Sequence, residues 1–178
     1  MIATARLSGM MLDYPKLLDK GIGGLRSDLQ EKLKEQPDNN FYKAGIQCLD
    51  IFVDCASHLQ QDAREQMASA NMKRQKELER ICQALENIKE KKPGTFHEAM
   101  QLFWLFALLA GVINYGRLDD YLGPYLVADL KSGRLTDEEA YRYIHSLWTM
   151  IENRRTTVNG RIIVGGKGRK HPKEADVF

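Results

Sequence analysis

Residues 99–113, AMQLFWLFALLAGVI, are the longest apolar run in the chain, broken only by Gln101. As a helix, this run is apolar on nearly every side rather than along one stripe. Such a helix belongs at the centre of a fold, with other elements packed around it. It is too short to cross a bilayer, which takes about 20 residues. Its start is marked by Thr95-Phe-His-Glu98. This is capping-box spacing: the Thr95 side chain accepts from the Glu98 amide, and the Glu98 side chain reaches back to the Thr95 amide.

A buried central helix needs amphipathic neighbours, and the chain supplies them. Tyr14 to Leu33 reads as a helix weakened in its middle by Gly21, Gly23 and Gly24. From Phe41 onward, Leu49, Phe52, Ala56, Leu59, Ala63 and Met67 keep helical spacing, with Asp50, Asp54, Gln61 and Arg64 outward. Met72 to Lys91 repeats the pattern through Leu78, Ile81, Leu85 and Ile88, until Pro93-Gly94 stops it. After the apolar run, NYGRLDDYLGPY is expected to bend the chain at Gly116 and again at Gly123-Pro124. Thr136 to Glu139 is a second capping box, opening a helix with Tyr143, Leu147, Met150 and Ile151 on its core face.

Only then does a strand appear. Asn159-Gly160 is a turn signal, and Arg161 to Val164 is a short β-branched run that reads as buried. Gly165, Gly166 and Gly168 follow, interleaved with Lys167, Arg169 and Lys170, and KEADVF starts one turn of helix. One strand cannot make a sheet alone. The fold class expected is therefore mainly α with one or two short strands, either a small helical domain with a ragged tail or, the favoured reading, a piece of something larger. Its helical region covers about 12–155, and its strand and glycine-rich basic loop about 159–172.

Little of the usual site chemistry is present. Gly165-Gly166-Lys167-Gly168 matches neither phosphate-loop pattern, and no Ser or Thr follows Lys167 to hold magnesium. The tail is locally basic but lacks interleaved aromatics for stacking on bases, so nucleic acid is not the expected partner. His58, His97, His145 and His171 have no metal-binding spacing, and no metal is expected. Cys48 and Cys55 are about 10 Å apart along one helix, too far for a disulfide. With Cys82 they read as small buried hydrophobes in a reducing compartment. No signal peptide is visible at the N-terminus. Arg117-Leu-Asp119-Asp120-Tyr121 reads as a paired, partly buried network of architectural type.

Three stretches taken together, TFHEAMQLFWLFALL, NYGRLDDYLGPYLVADLKSGRLTDEEA and NGRIIVGGKGR, resemble the pyruvate formate-lyase domain of glycyl radical enzymes. In that family the pattern runs TFHEALQLFW, then GR-x-D-x-Y-x-x-P-Y, then a strand ending in I-G-G. The resemblance implies a helical fragment of an α/β barrel, truncated at both ends, with the Gly-Gly strand end facing the interior and its partner strands elsewhere in a larger polypeptide. It implies radical chemistry on a small organic substrate in an anaerobe's cytoplasm, either C–C cleavage, dehydration or another C–X elimination.

It also implies a glycyl radical installed by an activating enzyme that uses S-adenosylmethionine and an iron–sulfur cluster, and a cysteine that becomes a thiyl. The family places both positions downstream of the strand, so this chain is expected to carry no catalytic residue and to be inactive alone. Gly111, Val112, Asn114, Asn159 and Arg161 correspond to positions that line the substrate cavity. Arg161 would hold a substrate carboxylate bidentately or, alternatively, face solvent. Arg117 and Asp119 stay in the structural network. The implied partners are the substrate, the activating enzyme, the rest of the barrel and a second copy in a homodimer, with no membrane. A different reading is a stand-alone helical interaction module, or a degenerate remnant, whose apolar surface a partner covers.

Overall fold

The computed structural model describes residues 11–155 and 160–178. In chain order the elements are α1 (Tyr14–Glu35), α2 (Asn40–Met67), α3 (Met72–Ile88), α4 (Phe96–Leu109), β1 (Asn114–Arg117), α5 (Leu118–Lys131), α6 (Asp137–Asn153), β2 (Arg161–Ile163) and α7 (Pro172–Ala175). The architecture is mainly α with two short strands.

α4 is the centre, and α1, α2, α3 and α5 pack around it. Phe96, Ala99, Leu102, Phe103 and Ala107 are fully shielded from solvent. Burying each large apolar side chain contributes roughly 1.5–3 kcal/mol before entropy is counted. The last turn differs from expectation, because Leu108 and Leu109 are 40% and 47% exposed. The helix then closes on Gly111 at φ +66, with Gly111 N donating to Leu108 O and Val112 N to Ala107 O. This is a Schellman closure, and it needs the left-handed conformation that glycine adopts without strain.

The two capping boxes behave differently. Thr136 and Glu139 form the complete reciprocal pair. At α4, Thr95 accepts from the Glu98 amide, but Glu98 does not return to Thr95. Its carboxylate instead accepts from Gly94 N and Asn87 Nδ2, each at 2.7 Å, tying α4 to the end of α3. The first-turn Phe96 amide donates to buried Asp129 at 2.8 Å, so α5 supplies a cap that sequence spacing cannot show.

The glycines in α1 mark a crossing. Gly21 sits at φ +64 and interrupts the helix. A Cβ there would lie 2.6 Å from Lys92 N, and one at Gly23 would lie 2.2 Å from Glu90 O. Gly23 N donates to that same oxygen at 3.1 Å. The turn after α3 therefore presses directly on the α1 backbone.

Two expected bends are corrected. Gly116 lies within β1, and α5 runs unbroken through Gly123 and Pro124. Gly123 is needed for approach rather than for bending: a Cβ would meet Glu174 O of α7 at 2.8 Å. β1 and β2 pair in parallel, Asn114 with Arg161, Gly116 with Ile162 and Arg117 with Ile163, with an irregularity between Asn114 and Gly116. Met11 bridges the other side of Asn114. The strand expected to be buried is open: Ile163 is 47% and Val164 60% exposed. The cysteines differ too, since Cys48 is exposed, Cys55 half-buried and only Cys82 buried.

Candidate functional site

Of the residues singled out from sequence, those that are described lie on or next to β1, β2 and the start of α5. Asn114 and Arg161 are register partners across the strand pair, and the Arg161 amide donates to Ile113 O at 2.9 Å. Gly111 and Val112 lie on the run that enters β1. Gly111 is exposed with open space beside it, and Val112 is half-buried. The Arg161 side chain is exposed and makes no hydrogen bond or ion pair with the described residues. Asn159, with the turn it was expected to open, lies outside the described residues. Gly160 is in view, and a Cβ there would sit 2.6 Å from the Tyr115 ring, so glycine lets the chain enter β2 against that aromatic.

Past β2 the chain becomes a loop held by carboxylates. Asp119 is fully buried. It accepts from the Asp120 amide at 2.9 Å and from the Gly165 amide at 2.7 Å, with Arg169 Nη1 at 3.7 Å. Asp120 accepts from the Lys170 amide at 3.1 Å and the His171 amide at 2.8 Å. Both carboxylates sit in the first turn of α5, where the helix dipole favours negative charge. Gly165, Gly166 and Gly168 take φ of +74, +84 and +81, with open space at each Cβ position. They are there for backbone conformation. The Gly165, Lys170 and His171 amides are bonded to the Asp119 and Asp120 carboxylates and are not offered to an outside anion.

Arg117 does not pair with its sequence neighbours. It donates to Gly165 O at 3.4 Å and Lys167 O at 3.0 Å, so the loop is gripped through amides by Asp119 and through carbonyls by Arg117. The ion pairs run instead from Arg169 to Asp119 and Asp176.

Beneath β1 lies an aromatic bed that sequence reasoning missed. Tyr14 stacks on Tyr121 at 5.3 Å between ring centroids and meets Phe103 edge-on at 4.9 Å. Phe103 meets Tyr115 at 5.8 Å. The Tyr121 hydroxyl donates to Tyr115 O at 2.7 Å. Burial pushes the Tyr121 phenol well above its ordinary range, reinforced by Tyr14, Tyr115 and Asp119 nearby. The Tyr14 phenol is likewise raised by burial, with the Arg154 charge pulling the other way. Both remain protonated across the physiological range. The advance signals were indirect: Phe103 falls in the apolar run read as central, and Tyr121 in the stretch read as a partly buried network.

A concavity of about 360 Å³ lies elsewhere, between α3, α4 and α6, and includes His97, Trp104 and Tyr143. A second, about 210 Å³, lies beside the loop and includes Asp120, Tyr121, Tyr125 and His171. Gly111, Val112, Asn114 and Arg161 line neither. Among the described residues no three His, Cys, Asp or Glu side chains converge as metal ligands, and no helix is long and apolar enough to cross a membrane.

The model of the pyruvate formate lyase-like family matches residues 1–172. An isethionate sulfite-lyase of Oleidesulfovibrio alaskensis is 28% identical over 76% of this chain and 18% of its own length. A (2S)-3-sulfopropanediol dehydratase of Klebsiella oxytoca is 30% identical over 81% of this chain and 19% of its own. The crystal structure of a glycyl radical enzyme from Archaeoglobus fulgidus superposes with a TM-score of 0.71 at 25% identity, over 78% of this chain and 20% of that one. The chain thus spans less than a quarter of the length of each.

Proposed function

The chain belongs to the pyruvate formate lyase-like family, and from that premise we propose that it forms one wall of the catalytic barrel of a glycyl radical enzyme and has no turnover alone. The observation that carries this reading is the parallel pairing of β1 with β2 beside an open apolar edge. Parallel strands are ordinarily covered on both faces. Here Ile163 and Val164 remain uncovered, as they would on a wall awaiting the strands that complete it.

On this reading Gly111, Val112, Asn114, Asn159 and Arg161 face the substrate. Arg161 is the group suited to an oxyanion, because its planar fork engages a carboxylate or sulfonate through two parallel hydrogen bonds. Asn114, its register partner, accepts from the Gly116 amide through Oδ1 at 3.2 Å and offers its Nδ2 donors to a hydroxyl. Two of the relatives named above release sulfite or water, which favours elimination from a small hydroxylated or sulfonated molecule over C–C cleavage. The radical itself would be supplied by a glycyl position and a thiyl-forming cysteine. Cys48, Cys55 and Cys82 lie on α2 and α3, away from β1 and β2 in the chain order, and do not fill that role. The iron–sulfur cluster and S-adenosylmethionine belong to the activating enzyme. The setting is an anaerobe's cytoplasm, with a homodimer as the working form.

The test is anaerobic incubation with an activating enzyme and S-adenosylmethionine, using isethionate and (2S)-3-sulfopropanediol as substrates. The chain alone should show neither an organic radical signal by electron paramagnetic resonance nor turnover. A polypeptide several times longer should be found in the native host by immunoblot against this segment, and that polypeptide should give the radical signal. Turnover by the chain alone, or a native product near 20.4 kDa, would overturn the reading. The small product would favour an interaction module instead.

A further inference from the structure

The C-cap of α6 holds a side chain that sequence patterning gave no reason to single out. Arg154 Nη1 donates to Val112 O and to the Tyr115 hydroxyl, each at 2.8 Å. The guanidinium carbon lies 6.0 Å from the centroid of the Trp104 ring. One group therefore joins three pieces: the end of α6, the run leaving α4, and α4 itself. A guanidinium suits the task because it is always charged, presents several donors in one plane and lies favourably over an aromatic face. Bonds from a charged donor are also the stronger kind.

Val112 and Tyr115 bracket Ile113 and Asn114. Ile113 O accepts the Arg161 amide, the contact that seats β2 beside β1. Tyr115 is in turn anchored below by Phe103 and through its carbonyl by Tyr121. Directly after Arg154, Arg155 adopts φ +44, the one positive φ at a non-glycine among the described residues. A left-handed residue directly after the C-cap is a common way for a helix to end, and it turns the chain out of α6 beside the Arg154 contacts.

We infer that Arg154 is a positioning residue: it fixes residues 112–115 and thereby sets Asn114 against Arg161 across the strand pair. Its consequence for substrate rests on the reading that these residues face the cavity. The positioning itself belongs to this chain and is measured without substrate.

Hydrogen exchange on this chain tests it, comparing the wild type with Arg154→Met, which keeps the apolar stem, and Arg154→Lys, which keeps a charged donor. In Arg154→Met the amides of residues 114–117 and 161–163 should exchange about tenfold faster or more, the effect of losing charge-assisted hydrogen bonds, with α2 and α3 changed by less than about twofold. Arg154→Lys should recover a substantial part of that protection, and near-ultraviolet circular dichroism from Trp104 and Tyr115 should follow the same order.

Unchanged exchange in the strands, equal acceleration in α2 and α3, or a Lys variant no better than Met would overturn the inference. If the Met variant does not fold, the Lys variant decides: local acceleration of a few-fold in 161–163 supports positioning, and none or a uniform rise refutes it. Absence of radical turnover by the longer polypeptide would sink the functional reading while leaving this result standing.

Discussion

Between α2 and α3 the fold is held side chain to side chain, whereas between β2 and α5 it is held backbone to carboxylate. The hairpin has its own small cluster of Ala63, Leu78 and Cys82, and its one buried polar group, Gln60, is satisfied by Cys82 O and Lys89 Nζ. The strand edge has almost no apolar burial of its own. Ile163 and Val164 are open, and the loop beyond them hangs on Asp119, Asp120 and Arg117. Burial is non-directional and tolerates some adjustment. A carboxylate bonded to specified amides is not tolerant, but it fixes a loop geometry without adding bulk. A body built the first way can carry an edge built the second way, and on the proposed reading that edge is the wall that presents Asn114 and Arg161 to the cavity.

The comparison breaks if disturbing the body leaves the wall standing. Phe103 is fully buried and touches Tyr14, Tyr115 and Tyr121. Phe103→Ala should cost about 3–5 kcal/mol, the range for removing a buried aromatic. Urea unfolding should show loss of stability in one cooperative transition that takes the body and wall together. A variant that retains native stability would mean that α4 is not the shared centre.

The converse substitution should be smaller and more local. Asp119→Ala strips the acceptor from the Gly165 amide and leaves Arg169 with Asp176 alone. The expected cost is about 2–4 kcal/mol, because buried groups bonded to a carboxylate lose their partner. The loop at 165–171 should become the earliest site of proteolytic cleavage, while exchange in the α2–α3 hairpin stays near wild type. Cleavage starting elsewhere would count against the clamp.

The two regions also differ in how far the sequence revealed them. The hairpin was legible because its core positions Leu49, Phe52, Ala56 and Ala63 recur at helical spacing within one segment. β1 was not, because Asn114-Tyr-Gly-Arg117 has no β-branched residue and contains a glycine at φ +62. What makes it a strand is a partner that follows only after α5 and α6. The role of Asp119 was half legible. A carboxylate beside Arg117 suggests an ion pair, yet its true partner is an amide 46 residues on, and no local pattern encodes that. The glycines misled for the same reason. Gly21 and Gly23 looked like weak helix, and their purpose lies in the Glu90 and Lys92 backbone they touch. The family resemblance did not supply the strand pair either: it implied partner strands elsewhere in a larger polypeptide, whereas β2 finds a partner, β1, within this chain.

The smallest effect separates the regions by pH. His97 belongs to the body: its ring stacks on Tyr143 at 4.9 Å between centroids, and Nε2 lies 3.3 Å from Gln101 Nε2. Burial lowers its pKa below the ordinary 6.5, with Glu98 opposing and Arg80 adding to the shift. The folded chain therefore binds a proton less readily than the unfolded chain. Above 6.5 both states carry neutral His97, and its contribution to stability is constant. As pH falls below 6.5 the unfolded chain takes up the proton first, so stability declines until the folded state protonates as well. His97→Gln should flatten that decline, as read from urea midpoints between neutral and mildly acid pH. Exchange in the 165–171 loop should not follow the His97 titration, because no contact of that loop involves His97. A loop that loosens in step with it would show that the body and the wall are coupled more tightly than the separate bonding of the two regions implies.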